Sequence, residues 1–162
     1  MLTKDEWPVY RMLRLRSLAD SPDAFARTVA EEERLPGEYW QSRLIAAAAS
    51  PRDYPLIAEL DGQAVGLTWA KVDADDASVV NFYQVWVAPE ARGRGIAAAL
   101  LQTAIDWSAS RGARLARLGV TWGDTPATRL YHRLGFLPVG ELEPLREGSP
   151  ILSQTMELTL TR

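Results

Sequence analysis

Two arginines and two glycines stand together in the segment Arg92-Gly93-Arg94-Gly95, directly before a long stretch with the apolar spacing of an amphipathic helix. The first N–H groups of a helix have no partner inside the helix, and the helix dipole adds partial positive charge there. This helix start offers no Ser, Thr, Asp or Asn side chain as a cap. The unpaired amides and the arginines therefore predict a binding site for a phosphate-bearing ligand.

Other interpretations of this segment remain open. A P-loop would require Gly-Lys-Ser/Thr, which is not present. A dinucleotide fingerprint can be placed on Gly93, Gly95 and Ala98, but five residues separate it from the preceding strand, and the next strand, 115–121, ends without an acidic residue. A nicotinamide-binding domain and an ordinary glycine-rich turn before a helix are kept as alternatives.

Three segments carry a resemblance to one family. Val85–Ala97 resembles the acetyl-CoA signature of the GNAT superfamily of N-acetyltransferases, Gln/Arg-x-x-Gly-x-Gly/Ala after a strand and a Pro-containing turn. Ala127–Phe136 resembles that family's Ala-x-x-Leu-Tyr-x-x-x-Gly-Phe segment, and Arg14–Phe25 is similar to the N-terminal helix and turn of many bacterial members. The defined positions of the first signature are filled by Arg92, Gly95 and Ala97.

The resemblance implies a binding mode for acetyl-CoA as co-substrate. The main-chain amides of about Arg94 to Ala98 would hold the pyrophosphate. The strand 85–87 would splay from the strand 115–121, pair with the pantetheine arm and polarise the thioester carbonyl. The family often has Asn where this chain has Asp124, and an ionised Asp can only accept hydrogen bonds. The coenzyme-binding residues predicted are Val85, Trp86, Val87, Arg92, Gly93, Arg94, Gly95, Ile96, Ala97, Ala98, Asp124, Ala127 and Tyr131.

Tyr131 is predicted to be the catalytic general acid that protonates the departing thiolate. It shares a helix face with Ala127, Leu130 and Leu134, which can point its ring inward, although a core tyrosine with a bonded hydroxyl has the same pattern. The chain has no cysteine, so we expect no covalent intermediate through a thiol. The predicted reaction is direct acetyl transfer to a primary amine of a small molecule or peptide in a ternary complex; a non-catalytic coenzyme A-binding sensor or partner module is the alternative.

The acceptor side is less defined by the sequence. Phe25, Trp69 and Tyr83 are predicted to bind the amine substrate as an aromatic wall, with Trp122 as a further candidate, and core packing is the alternative. We expect His132 to point away from the site. The general base is left open among Glu59, Asp73 and a water held by Gln84 or Tyr83. The carboxylates Glu31, Glu32 and Glu33 could instead line the amine entrance, and for all of these carboxylates a solvated position is the alternative.

The elements that must position these residues alternate along the chain. The patterns predict helices over about 4–19, 22–34, 38–49, 96–111 and 126–134, and strands over 54–60, 64–72, 79–87, 115–121, 136–141 and 152–160. This order predicts an α/β fold in which helices cover a mixed sheet. The resemblance implies the GNAT fold, a mostly antiparallel twisted sheet, with the first strand missing or vestigial because only Met1-Leu2-Thr3 precede the first helix.

Composition limits the other possibilities. We expect residues 1–162 to form a single domain. The net charge of −3 argues against a general nucleic-acid binder, and one histidine without cysteine argues against a metal site. The chain has no apolar stretch long enough to span a bilayer, and its N-terminus does not resemble a signal peptide, so we expect a cytoplasmic protein that does not act at membranes. A homodimer is compatible with the resemblance.

Overall fold

A six-stranded sheet organises residues 2–160, the part of the chain that this computed structural model describes. The strands are β1 (Asp53–Leu60), β2 (Gln63–Val72), β3 (Val79–Val87), β4 (Leu115–Thr121), β5 (Leu137–Pro144) and β6 (Leu152–Thr159). Their order in the sheet is β1-β2-β3-β4-β6-β5, and only β3 and β4 are parallel neighbours. The predicted mixed, mostly antiparallel sheet is confirmed.

Helices cover the sheet on both faces. They are α1 (Trp7–Asp20), α2 (Val29–Glu33), α3 (Gly37–Ala49), α4 (Ile96–Ser110) and α5 (Pro126–Leu134), with 3₁₀ turns at Lys4–Glu6, Pro22–Ala24 and Pro89–Ala91. Trp69 of β2 packs against Tyr10 of α1, with 5.5 Å between the ring centroids, while Gly66 faces Leu100 of α4. Positions 66 and 69 point to opposite faces of the strand, so β2 is buried continuously from Val65 to Ala70. No helix among residues 2–160 has the length and apolar character that crossing a membrane requires.

The prediction of one helix over 22–34 is wrong. The chain forms a 3₁₀ turn at Pro22–Ala24, Phe25 is extended with φ −129° and ψ 148°, and α2 begins only after Thr28. The Thr28 hydroxyl accepts from the N–H of Glu31 at 3.2 Å, and the Glu31 carboxylate accepts from the N–H of Thr28 at 3.1 Å. This capping box starts a new helix, so a Thr-x-x-Glu signal outweighs the earlier Ser-Pro start.

The chain ahead of α1 contains no strand within residues 2–6. The N–H of Leu2 donates to the carbonyl of Pro55 at 2.9 Å, and the Leu2 side chain is buried against the core. The first strand, expected to be missing or vestigial, is thus reduced in the described chain to one hydrogen bond at the β1 edge. Met1, Thr161 and Arg162 lie outside the described residues.

The parallel pair at the centre of the sheet separates partway along its length. Val79–Phe82 pair with Leu115–Leu118, but β3 continues to Val87 and β4 to Thr121 without further pairing between them. Gln84 interrupts β3 with φ +61°, and the β2–β3 register shifts opposite it, between Leu67 and Trp69. This bulge turns the end of β3 away from β4 and opens a gap in the sheet.

Candidate active site

The gap between β3 and β4 opens into a cleft of about 1520 Å³. Its walls come from the 3₁₀ turn after α1, from β2, β3 and β4, and from the first turns of α4 and α5. Among the predicted site residues, those that line the cleft are Phe25, Trp69, Tyr83, Val85, Trp86, Val87, Arg92, Gly93, Gly95, Ile96, Ala97, Ala98, Ala127 and Tyr131. Arg94 and Asp124 do not line it.

One end of the cleft is the N-terminus of α4. Gly95 is its N-cap and no side chain caps it; within residues 2–160 no acceptor receives the main-chain N–H groups from Gly93 to Ala98. Gly93 and Gly95 have φ +79° and +76°, and a Cβ at either position would meet no protein atom within 4 Å. These glycines are therefore required by their left-handed backbone.

Arg92 makes a contact that the sequence did not predict. Its Nε donates to the carbonyl of Val87 at 3.0 Å, and its Nη2 donates to Asp20 at the end of α1. The same carboxylate accepts from Trp86 Nε1 at 3.0 Å. Hydrogen bonds from the Ser21 hydroxyl, from Trp86 and from Arg92 lower the pKa of Asp20 to about 2. Arg92 thus ties the glycine loop and β3 to α1.

Asp124, one of the two predicted residues that do not line the cleft, is held by a neighbouring arginine. The Asp124 side chain is 82% exposed and forms an ion pair with Arg129 at 2.8 Å. Its neighbours Thr125 and Pro126 do line the cleft. The position of Asp124 therefore does not support the predicted coenzyme contact, because its carboxylate is turned to solvent and to Arg129.

Tyr131 projects from α5 into the cleft wall. Thr125 caps this helix by accepting from the N–H of Thr128 at 3.1 Å, and Gly135 ends it with φ +102°. Tyr131 is 5% exposed, its ring lies 6.0 Å from that of Phe136, and its hydroxyl makes no hydrogen bond within residues 2–160. Burial raises the pKa of this phenol above its ordinary value. The hydroxyl therefore keeps its proton at neutral pH and has a free hydrogen-bonding capacity.

The middle of the cleft is the bulged part of β3. Gln84 is a non-glycine residue in the left-handed region, a conformation that costs of order 1–3 kcal/mol and often occurs at functional sites. Its Oε1 accepts from the Tyr10 hydroxyl at 3.1 Å. Neither Gln84 nor Val85 has a register partner in β2 or β4. The main chain at this point is therefore available to a ligand in the gap.

Aromatic residues border the opposite end of the cleft. Phe25 and Trp69 are 9% and 5% exposed, and Tyr83 is 49% exposed. Trp69 Nε1 donates to Asp53 at 2.9 Å. Phe25, Trp69 and Tyr83 line the cleft as predicted, whereas Trp122 is exposed and does not line it.

The candidate bases differ in position. Asp73 lines the cleft, but a hydrogen bond from Asn81 and main-chain N–H donors lower the pKa of its carboxyl group, which makes it a weaker base. Glu59, Glu31 and Glu33 do not line the cleft, and Glu32 is held in an ion pair with Arg14. Gln84 and Tyr83 line it and can hold a water molecule. His132 is exposed on α5, as expected.

The sequence analysis gave no site role to two arginines that line the cleft, Arg14 on α1 and Arg43 on α3. Arg14 is 5% exposed. A signal was present, because helical spacing places Arg14 on the same face as Tyr10 and Leu18, which are buried. A cation on the apolar face of a helix is unusual and indicates a specific partner. No comparable pattern distinguishes Arg43.

No group of three or more His, Asp or Glu side chains in the described chain is arranged to hold a metal ion.

The model of a family described as acetyltransferase (GNAT) family matches residues 12–136, a range that contains both the glycine loop and Tyr131. Mycothiol acetyltransferase from Thermobispora bispora is 34% identical over 128 residues, covering 76% of this chain and 40% of that protein. The chain thus spans about two fifths of the length of this curated relative.

Solved structures share the fold over nearly the whole chain. A GNAT-family acetyltransferase from Streptococcus pneumoniae has a TM-score of 0.83 at 20% identity, covering 99% of this chain and 96% of that one. A putative acetyltransferase from Salmonella typhimurium, solved with its cofactor acetyl-CoA, has a TM-score of 0.81 at 17% identity, covering 99% and 92%. With the family match over most of the sequence, these results show that the chain belongs to the acetyltransferase (GNAT) family.

Proposed function

We propose that this chain is a single-domain N-acetyltransferase that moves the acetyl group of acetyl-CoA directly to a primary amine in a ternary complex. The observation that carries this proposal is the arrangement of one cleft. The amides from Gly93 to Ala98 lie at one end of it and the hydroxyl of Tyr131 lies on its wall, and none of these groups has a hydrogen-bond partner within the described chain. The first group suits a pyrophosphate, and the second suits a leaving group that needs a proton.

The coenzyme would be bound mainly by main-chain groups. The N–H groups at the start of α4 combine with the helix dipole to favour a diphosphate. The pantetheine arm would then lie between β3 and β4, where the two strands no longer pair beyond Phe82 and Leu118. Arg92 would support this site by holding the glycine loop in place.

Acetyl transfer would proceed without a covalent enzyme intermediate. The amine nitrogen attacks the thioester carbonyl carbon, a C–N bond forms, and the C–S bond breaks as the tetrahedral intermediate collapses. Negative charge develops on the carbonyl oxygen, and a fixed N–H donor near Val85 would stabilise it. The thiolate that leaves would take the phenolic proton of Tyr131, whose raised pKa keeps that proton in place until the thiolate forms.

The attacking amine must also lose a proton. Tyr83 and Gln84 line the cleft beside the bulge and can position a water that accepts it. Asp73 lies on the same wall, although its lowered pKa makes it the weaker choice. This arrangement leaves a second candidate function, a coenzyme A-binding module without turnover, which the weak basicity of Asp73 favours.

Titration calorimetry and a thiol-release assay distinguish the two functions. We expect acetyl-CoA to bind, and free thiol to appear in proportion to a primary amine offered from a mixed panel. Binding without thiol release would support the module. Absence of binding at millimolar acetyl-CoA would contradict both functions. A cytoplasmic location and a homodimer remain predictions, which fractionation of cells and light scattering can test.

A further inference from the structure

The acceptor end of the cleft holds the guanidinium group of Arg43. Arg43 lies over the Trp69 ring, with its Cζ 4.9 Å from the ring centroid, and its Nη1 donates to the Tyr39 hydroxyl at 2.9 Å. Its Nε and Nη2 make no hydrogen bond within residues 2–160, and no carboxylate there forms an ion pair with it. One edge of this fork is therefore free to bind a ligand.

The guanidinium group of Arg14 also lines the acceptor end of the cleft. Arg14 binds Glu32 through Nε at 3.2 Å and Nη2 at 2.9 Å, and it lies 5.1 Å from the centroid of the Phe25 ring. Its Nη1 is buried and has no hydrogen-bond partner among residues 2–160. An unsatisfied N–H on a buried charged group is unfavourable and leaves the positive charge of Arg14 incompletely compensated, which adds to the positive potential at this end of the cleft.

The charges at this end do not balance. Arg14 and Arg43 are both close enough to Tyr10 to lower the pKa of its phenol, against the larger opposing effect of burial, and Glu32 is the acidic group that acts on the same ring. Glu32 lies 2.9 Å from Arg14 and 3.8 Å from Arg27, so this carboxylate is already shared between two guanidinium groups, and Arg43 adds a third positive charge at this partly buried end. Electrostatic attraction is stronger there than in water, which favours a bound anion.

We propose that Arg43, supported by Arg14, binds a carboxylate carried by the amine substrate, so that the acceptor is an amino acid or a similar small amino carboxylate. This inference rests on the proposed acetyltransferase function. The planar guanidinium fork matches the two oxygens of a carboxylate, and charge-assisted pairs of this kind are strong. A polyamine would place a second cation near Arg43 and would be repelled.

Matched acceptors test the inference. Wild-type protein with saturating acetyl-CoA is assayed with L-amino acids, each paired with its own carboxamide, and with spermidine. We expect kcat/KM for the best acid to exceed that of its carboxamide by about tenfold or more, which is the effect of one charge-assisted hydrogen bond. Arg43→Gln should reduce this ratio to about one through KM, and Arg43→Lys should retain part of it.

Arg111→Gln is the matched control. Arg111 also lies over a tryptophan, with its Cζ 4.7 Å from the Trp107 ring centroid, but it does not line the cleft. The acid-to-carboxamide ratio should be unchanged in this variant. Equal kcat/KM for acids and carboxamides, a preference for spermidine, or an unchanged ratio in Arg43→Gln would overturn the inference.

Calorimetry separates failure of this inference from failure of the proposed function. The acids and carboxamides are titrated into wild-type protein saturated with coenzyme A and, separately, into protein without it. Selective binding of acids that disappears in Arg43→Gln supports the carboxylate site even if no acetyl transfer occurs. Acetylation of carboxamides and polyamines alone would leave the acetyltransferase function standing and refute the carboxylate site.

Discussion

The two ends of the cleft are formed by different chemical groups, main-chain amides at one end and side chains at the other. The coenzyme end consists of main-chain amides at the start of α4 and along the bulged β3, with glycines at two left-handed positions. The acceptor end consists of side chains from separate elements, Arg14 on α1, Arg43 on α3 and Trp69 on β2. A backbone site suits a ligand common to a whole family, whereas a side-chain site can change its specificity without disturbing the fold.

The largest expected effect is that of removing the Tyr131 hydroxyl. Tyr131→Phe should lower kcat by about 10²–10⁴-fold, the usual contribution of a general acid, because the departing thiolate loses its proton donor. The affinity for acetyl-CoA should change little, since the ring remains. Steady-state kinetics with calorimetry measures both quantities. Tyr54→Phe is the control, because Tyr54 stacks on Trp107 away from the cleft. Normal turnover of Tyr131→Phe would show that Tyr131 is not the general acid.

Breaking the buried ion pair between Arg14 and Glu32, which lies at the acceptor end, should lower the stability of the protein. Glu32→Gln leaves the Arg14 charge uncompensated, and we expect a loss of about 3–5 kcal/mol in the free energy of unfolding. Asp76→Asn breaks the exposed pair with Arg114 and should cost much less, because solvent screens that pair. Urea unfolding compares the two variants. Similar losses would show that the buried pair is no more important than a surface pair.

A substitution in the glycine loop should act on both stability and binding. Gly95→Ala places a Cβ on a left-handed residue, which costs roughly 1–2 kcal/mol. The loop would relax away from this strain and displace the amides, so we expect the Kd for acetyl-CoA to rise about tenfold, equivalent to about 1.4 kcal/mol. Calorimetry and thermal unfolding give the two values.

Gly62→Ala separates the two effects. Gly62 has φ +80° in the β1–β2 hairpin and, like Gly95, has no protein atom within 4 Å of an added Cβ. The control should lose comparable stability while binding acetyl-CoA normally. If both variants bind normally, the conformation of the glycine loop does not determine coenzyme affinity.

The smallest effect concerns the tie between the glycine loop and α1. The pKa of Asp20 is lowered from 3.8 to about 2, so its stabilising contribution is present above about pH 4 and is lost as the pH falls through about 2. Because the Asp20 side chain is partly exposed, we expect its contribution to the free energy of unfolding to be about 1 kcal/mol. Asp20→Asn should flatten the acid limb of the stability profile. Identical stability profiles for wild type and Asp20→Asn would contradict a stabilising role for the contact between Asp20 and Arg92.

The contrast between the two ends also explains what the sequence could predict. The glycine loop, α5 and the strand order follow from local patterns: glycines before a helix, Thr-Pro at a helix start and alternating apolar runs. Gly95 and Tyr131 could both be assigned to the site because each lies in a sequence motif of the same family. The helix over 22–34 was mispredicted because two start signals compete within that segment and the capping box at Thr28 prevails.

The acceptor end could not be predicted in the same way. Arg43 lies in α3 with no motif around it, and its place over Trp69 depends on how α3 packs against the sheet. The contact between Arg92 and Asp20 joins residues 72 positions apart, so no local pattern contains it. Asp124 was expected near the coenzyme from its position in the family pattern, yet Arg129 five residues later draws its carboxylate outward.

Amide NMR during a coenzyme A titration tests most directly whether main-chain groups at the start of α4 bind the pyrophosphate. In ¹⁵N-labelled protein, we expect the largest shifts of the whole chain at the amides of Gly93 to Ala98. Pantetheine, which lacks the pyrophosphate, should leave those amides nearly unchanged while shifting Val85 and its neighbours in β3. Binding of coenzyme A without shifts at Gly93 to Ala98, or equal shifts with pantetheine, would contradict the proposed site.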